Sequence, residues 1–215
     1  MRMFIIYLAT SNSGKVREFR EAAQAMALSL DPLPGFANLT PAIEDGVTFE
    51  QNARIKAEYY SRFAPGKLVL AEDSGLAVEA LNGAPGVYSA RYAAMLQSGS
   101  ASHENSDDQA NNLALITQLE RLPGDHFAGK YVCVIAMAQD GKTLATFTGE
   151  AHGELRTVPR GTGGFGYDPL FYFPVLDKTF AELPLDQKRE YSHRGKAFRS
   201  FLEWYHQQQY LQEKT

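Results

Sequence analysis

A chain of 215 residues, 44% hydrophobic and 21% charged, suits one large domain or two small lobes around a cleft. A formal net charge of -4 argues against a general nucleic-acid binder, and no apolar run approaches a membrane span. The single cysteine, Cys133, excludes an intramolecular disulfide framework; its apolar setting reads as a buried, inert thiol.

Residues 4–9 are apolar and read as a first core strand rather than a signal core, because no cleavage region follows. A cytoplasmic protein is expected. Beyond Lys15 the apolar residues Val16, Phe19, Ala23 and Met26 recur every three or four positions, which predicts a helix. Between strand and helix lies Thr10-Ser-Asn-Ser-Gly-Lys15. A glycine at a helix start lets backbone N–H groups approach an anion closely, and Lys15 adds a point charge. An ordinary polar turn has the same composition. A P-loop does not fit: the second glycine is missing, and Val16 stands where a hydroxyl residue is needed.

Residues 31–45 read as an irregular connection. Thr48 is a candidate helix cap with Gln51 completing a capping box, and Phe49, Ala53, Tyr60 and Phe63 mark the expected apolar face. Asn52 and Lys56 lie one turn apart and can point at the same place. Pro65-Gly66 ends that helix and residues 67–71 form a second strand, at whose end Glu72-Asp-Ser-Gly75 is expected to emerge. Two adjacent carboxylates suit magnesium, which takes one or two protein carboxylates plus phosphate oxygens and water. Glu44, before the Thr48 helix, is a further carboxylate candidate.

Residues 76–92 read as compact and β-rich or irregular, and 97–112 as a polar loop running into a helix over 109–120. Alternation over 130–138 and 143–149 around Asp140-Gly141 predicts a hairpin. Gly161-Thr-Gly-Gly-Phe-Gly-Tyr-Asp168 is too glycine-dense for strand or helix. It reads as backbone folded around a ligand, with Phe165 or Tyr167 to stack on a ring and Asp168 to accept from a base or sugar. A helix over 195–210 follows Ser192-His-Arg-Gly195, and Trp204 on it reads as core packing. His103, His126, His152 and His206 show no metal-ligand spacing.

Taken together, these motifs resemble the inosine triphosphate pyrophosphatase family. The resemblance is carried by Thr10, Asn12, Gly14 and Lys15; by Thr48-Phe49, Asn52-Ala53 and Lys56-Ala57; and by Glu72-Asp-Ser-Gly-Leu76. Gly83-Ala-Pro-Gly86, Ser89-Ala-Arg-Tyr92, residues 161–169 and Ser192-His-Arg-Gly195 complete it. It implies an α/β fold, an elongated mixed β-sheet flanked by helices with two lobes around a central cleft, over a single domain spanning 1–215. It implies hydrolysis of ITP, dITP or XTP to the monophosphate and pyrophosphate with Mg2+, by a homodimer that binds neither nucleic acid nor membrane.

The resemblance also distributes roles. Asp73 is the general base and a metal ligand, with Glu44 or Glu72 completing the metal set, and Lys56 offsets charge beside it. Thr10, Ser11, Asn12, Ser13, Gly14 and Lys15 cradle phosphates, and Ser74 belongs to the same motif as Asp73. Phe165, Gly166, Tyr167, Asp168, Lys188, His193 and Arg194 hold base, sugar and phosphate. The rival is a purine nucleotide-binding regulatory module without turnover.

Overall fold

The computed structural model describes residues 5–24, 28–99 and 105–213. The expected contributions of Phe4 to the first strand and Met26 to the first helix, and the reading of His103, lie outside the described residues.

The opening unit is strand β1 (Ile6–Leu8), helix α1 (Ser13–Gln24) and strand β2 (Leu30–Pro32), with β2 parallel to β1. The connection expected at residue 31 therefore begins with a strand. Its three residues are too few to show a period, and its terminal Pro32 is tolerated because β2 lies at the sheet edge. Asn12 caps α1: its carbonyl accepts from Val16 N and its side chain from Lys15 N.

Helix α2 (Phe49–Ser61) starts at Thr48, whose side chain accepts from Gln51 N. The return bond of the expected capping box falls one residue further out, from Val47 N to the Gln51 side chain at 2.8 Å. Its buried face is Asn52, Ala53, Ala57, Tyr60 and Ser61. Phe49 is only half-buried, and Phe63, 47% exposed, lies beyond the helix end.

Strand β3 (Leu68–Val78) corrects a second expectation: it continues through Glu72, Asp73, Ser74 and Gly75 instead of ending before them. Helix α3 (Tyr92–Ser98) precedes α4 (Asp108–Leu119), so residues 97 and 98 are helical. The expected hairpin is strands β4 (Phe127–Gln139) and β5 (Lys142–Leu155), joined by Asp140 and Gly141 at φ 50° and 80°. Such a turn needs that left-handed pair of residues. Short strands β6 (Phe171–Phe173) and β7 (Lys178–Thr179) follow, then α5 (Leu185–Tyr191) and α6 (His193–Glu213). Residues 193–195 thus form the first turn of α6.

The strands make one seven-stranded mixed sheet in the order β2-β1-β3-β4-β5-β6-β7. β1 runs parallel to β2 and β3, while β6 is antiparallel to β5 and β7. The chain divides into two compact units. One takes the described residues of Met1–Asp73, Cys133–Gly149 and Ser192–Thr215; the other takes those of Ser74–Val132 and Glu150–Tyr191.

Each unit has its own core. In the first, Ile6, Phe19, Leu70, Ile135, Phe198 and Phe201 pack together, with Trp204 against them as expected. In the second, Leu76, Leu115, Tyr131, Phe171 and Phe180 do the same. Among the described residues no helix is long and apolar enough to cross a membrane.

Candidate active site

The acidic pair occupies mid-strand positions on β3, with Glu72 3% and Asp73 8% exposed. Adjacent strand residues point to opposite faces, so the two carboxylates have different surroundings. Each is tolerated there because cations from elsewhere in the first unit meet it.

Lys56 reaches down from α2 and places its Nζ 2.7 Å from Asp73 Oδ1 and 2.7 Å from Glu44 Oε2. Asn52, one turn earlier on the same face, donates to Asp73 Oδ2 at 3.4 Å. Asn52 Oδ1 in turn accepts from Gly46 N at 2.8 Å, tying the Glu44 loop to the helix. A Cβ on Gly46 would stand 2.6 Å from that Oδ1, so this close approach requires glycine.

On the other carboxylate, Lys15 Nζ lies 2.5 Å from Glu72 Oε1, and Arg194 Nη2 lies 4.0 Å from the same oxygen. Arg194 Nη1 also bonds Glu18 Oε2 at 2.5 Å. The buried Cys133 thiol donates to Glu72 Oε2 at 3.5 Å. The result is an alternating ladder of charge, from Glu18 to Arg194 to Glu72 to Lys15.

These surroundings push the two carboxyls apart. Burial raises Asp73, Lys56 and Lys15 offset only part of the rise, and Glu44 adds to it. Burial would raise Glu72 too, but Lys15, Arg194 and Lys56 hold it well below the ordinary carboxylate range. Burial disfavours the Lys56 charge, yet Asp73, Glu44 and Glu72 hold its pKa above the usual lysine value. Arg194 is likewise held charged against its burial by Glu18 and Glu72. Two neighbouring acids with separated proton affinities are a common arrangement at acid–base centres: one stays ionised while the other exchanges a proton.

The helix start beside them supplies a second kind of group. Thr10 Oγ1 accepts from Asn12 N at 3.2 Å, which fixes the turn. Ser11, Asn12 and Ser13 are exposed. Ser13 and Gly14 form the first turn of α1, at the positive end of its dipole.

The second unit holds the glycine-rich segment. Lys188 of α5 is buried and bonds Asp168 Oδ2 at 2.6 Å, with its Nζ 4.8 Å from the centre of the half-buried Phe165 ring. The same Asp168 oxygen accepts from Phe165 N at 2.8 Å. A Cβ on Gly164 would collide with the Asp168 carboxylate, and Cβ atoms on Gly161 and Gly163 would meet the backbone of Ala181. What the segment folds around is therefore its own aspartate and a neighbouring turn. The glycines answer to those contacts before any ligand.

The structure gives several of the expected substrate-binding side chains internal partners. Tyr167 is buried in the second core, and its hydroxyl donates to Ser89 O at 2.8 Å. Asp168 is 2% exposed and ion-paired to Lys188. Arg194 is a buried partner of Glu18 and Glu72. His193 is buried with it in the first turn of α6. Ser74 lies in the second unit, on β3.

Glu18, not singled out in the sequence, follows Lys15 by three positions on α1. That spacing puts it on the same helix face and was the available signal.

Among the described residues no three of His, Cys, Asp and Glu gather as a metal-binding group. A magnesium site does not need three. Glu44 Oε2 and Asp73 Oδ1 already converge on one ammonium, a pair of hard oxygens of the kind Mg2+ takes alongside phosphate. Glu72 is committed to Lys15 and Arg194 behind that pair.

The Ham1 family model matches residues 6–204. A dITP/XTP pyrophosphatase of Acidobacterium capsulatum is 50% identical over 197 residues, covering 92% of this chain and 96% of that protein. A dITP/XTP pyrophosphatase of Thermus thermophilus is 42% identical over 205 residues, 95% of this chain and 93% of the relative. Among solved structures, a HAM1 protein from Coxiella burnetii superposes with a TM-score of 0.77 at 37% identity, covering 93% of this chain and 96% of that one. The Staphylococcus aureus Ham1 protein gives 0.75 at 39% identity, covering 93% and 98%. This chain is a member of the Ham1 family.

Proposed function

We propose that this protein hydrolyses deaminated purine nucleoside triphosphates (ITP, dITP and XTP) to the monophosphate and pyrophosphate, clearing them from the nucleotide pool. The observation that carries this reading is the pair of buried β3 carboxylates, Glu72 ion-paired to Lys15 and Asp73 to Lys56, with Glu44 on the same Lys56 ammonium. It agrees with the names of the relatives described above.

In this mechanism Asp73 takes the proton from the water that attacks the α-phosphorus. Asn52 and Lys56 hold the two Asp73 oxygens, so the carboxylate is aimed before substrate arrives. Lys15 and Lys56 offset charge that develops on the phosphoryl oxygens, and the first turn of α1 presents backbone N–H groups to them. Glu72 keeps Lys15 in place and stays ionised throughout. Phe165 provides the face on which the purine stacks, with Asp168 and Lys188 fixing the loop that carries it.

Glu44 and Asp73 would hold magnesium, with Glu72 behind them. Bound there, the ion supplies neutralisation of phosphate charge and acidification of water. A homodimer and a cytoplasmic setting accompany the reading; light scattering of the purified protein checks the first and fractionation of cells the second.

The deciding measurement is product analysis. ITP, GTP and ATP are incubated with the protein, with and without Mg2+. Pyrophosphate release that is metal-dependent and fastest with ITP is expected. Orthophosphate with the diphosphate would replace the proposal by terminal-phosphate hydrolysis, and binding without turnover would make the protein a sensor.

A further inference from the structure

The segment carrying Phe165 is held from outside as well as by its own aspartate. On α4, Asp108 Oδ2 accepts from Gly166 N at 2.7 Å, and Asn112 Nδ2 donates to Gly166 O at 3.0 Å. Asp108 and Asn112 are four residues apart, on one helix face, so a single rigid element grips both polar groups of one residue. On either side, Phe165 N is tied to Asp168 and the Tyr167 hydroxyl to Ser89.

The Asn112 contact is not a cheap one for stability. Its Oδ1 is buried with no hydrogen-bond partner among the described residues, and a buried unpaired acceptor is costly. An apolar residue at this helix position would avoid that penalty. Keeping the amide makes sense where holding Gly166 matters more than the oxygen left over. Gly166 itself has φ 61°, a left-handed conformation in which the backbone alone carries the contact.

We propose that Asp108 and Asn112 are positioning residues for purine recognition: by clamping both sides of Gly166 they hold the Phe165 ring where the base stacks. This rests on the proposed role of Phe165. Without the clamp the ring is still present but must be ordered at each binding event, which weakens substrate binding and leaves the chemical step alone. Neither residue touches the reacting atoms.

The test is steady-state hydrolysis of ITP by the full chain, comparing Asp108→Ala, Asp108→Asn, Asn112→Leu, Phe165→Ala and the Asp108→Ala/Phe165→Ala pair. Asp108→Ala and Asn112→Leu are expected to raise KM about tenfold with kcat within about twofold, as for loss of an ordering hydrogen bond. Asp108→Asn keeps an acceptor oxygen and restores KM. In the Phe165→Ala background Asp108→Ala adds nothing further.

A raised KM in Phe165→Ala with unchanged KM in both clamp variants overturns the proposal. So does an equal loss of kcat and stability in both. An unchanged KM in Phe165→Ala instead overturns the stacking role. Hydrogen exchange over residues 161–170 then decides the clamp alone: faster exchange in Asp108→Ala and Asn112→Leu supports it, and unchanged exchange removes it.

Discussion

Asp73 and Glu72 differ by one position in the chain; burial raises both, but the cations around Glu72 outweigh it and those around Asp73 do not. That contrast sets two predictions. Asp73→Asn is expected to lower kcat by about 10²–10⁴-fold, the span of general-base catalysis, with the thermal midpoint nearly unchanged. Pyrophosphate release checks the first and scanning calorimetry the second; near-normal turnover would remove Asp73 from the role.

Glu72 behaves oppositely. Its folded-state pKa is lowered, so its contribution to stability is present above the unfolded value of 4.5 and fades as pH falls towards the folded one. Glu72→Gln should therefore cost about 3–5 kcal/mol near neutrality, as when one partner of a buried pair is removed. Urea titrations at descending pH should show the gap to the unaltered protein closing below 4.5. A gap that widens would contradict the assignment.

Elements defined by local chemistry were legible in the chain. The Thr48 cap, the Asp140-Gly141 turn and the apolar stripe of Phe198, Phe201, Leu202 and Tyr205 each carry their signal within a few residues. β2, β6 and β7 span three, three and two residues, too short for any period to show. The course of β3 was hidden for a different reason. Two adjacent acids look like a strand end until Lys15, Lys56 and Arg194 arrive from three other places in the chain. The same long-range pairing gives Asp168 and Arg194 their internal partners, Lys188 and Glu18, which no local pattern in the chain announces.

One element contact makes a further prediction. A Cβ on Gly149 of β5 would run into the carbonyl oxygen of His193 and the amide of Ala197, both backbone atoms of α6 that cannot rotate away. Gly149→Ala should push the first turn of α6 outward and loosen Arg194 from Glu72. A fall in thermal midpoint of roughly 3–10 °C is expected for overpacking in a chain this size, together with reduced kcat/KM. An unchanged midpoint would show that the two elements approach less closely.

At the scale of the molecule, the first unit is assembled from three separate stretches and the second from two. Cys133, fully buried in the first core, reports on that assembly. Burial and the nearby Glu72 raise its thiol well above the usual range, so the thiolate is scarce even at mildly alkaline pH. Alkylation at pH 8 should be negligible in the folded protein and rapid in denaturant, with mass spectrometry as the readout. Rapid labelling of the native protein would mean that the first core opens readily.

The bond between Arg194 and Glu18 joins residues 176 positions apart. On the ribosome, at about 5–20 residues per second, Glu18 is made roughly 9–35 s before its partner. Once Glu72 has been made, and until Arg194 follows it, the acid of β3 can find lysine neighbours but no guanidinium. A chain without its last helix would therefore have only lysine charge to set against the burial of Glu72. The run of charge from Glu18 to Lys15 becomes continuous only when Arg194 joins it.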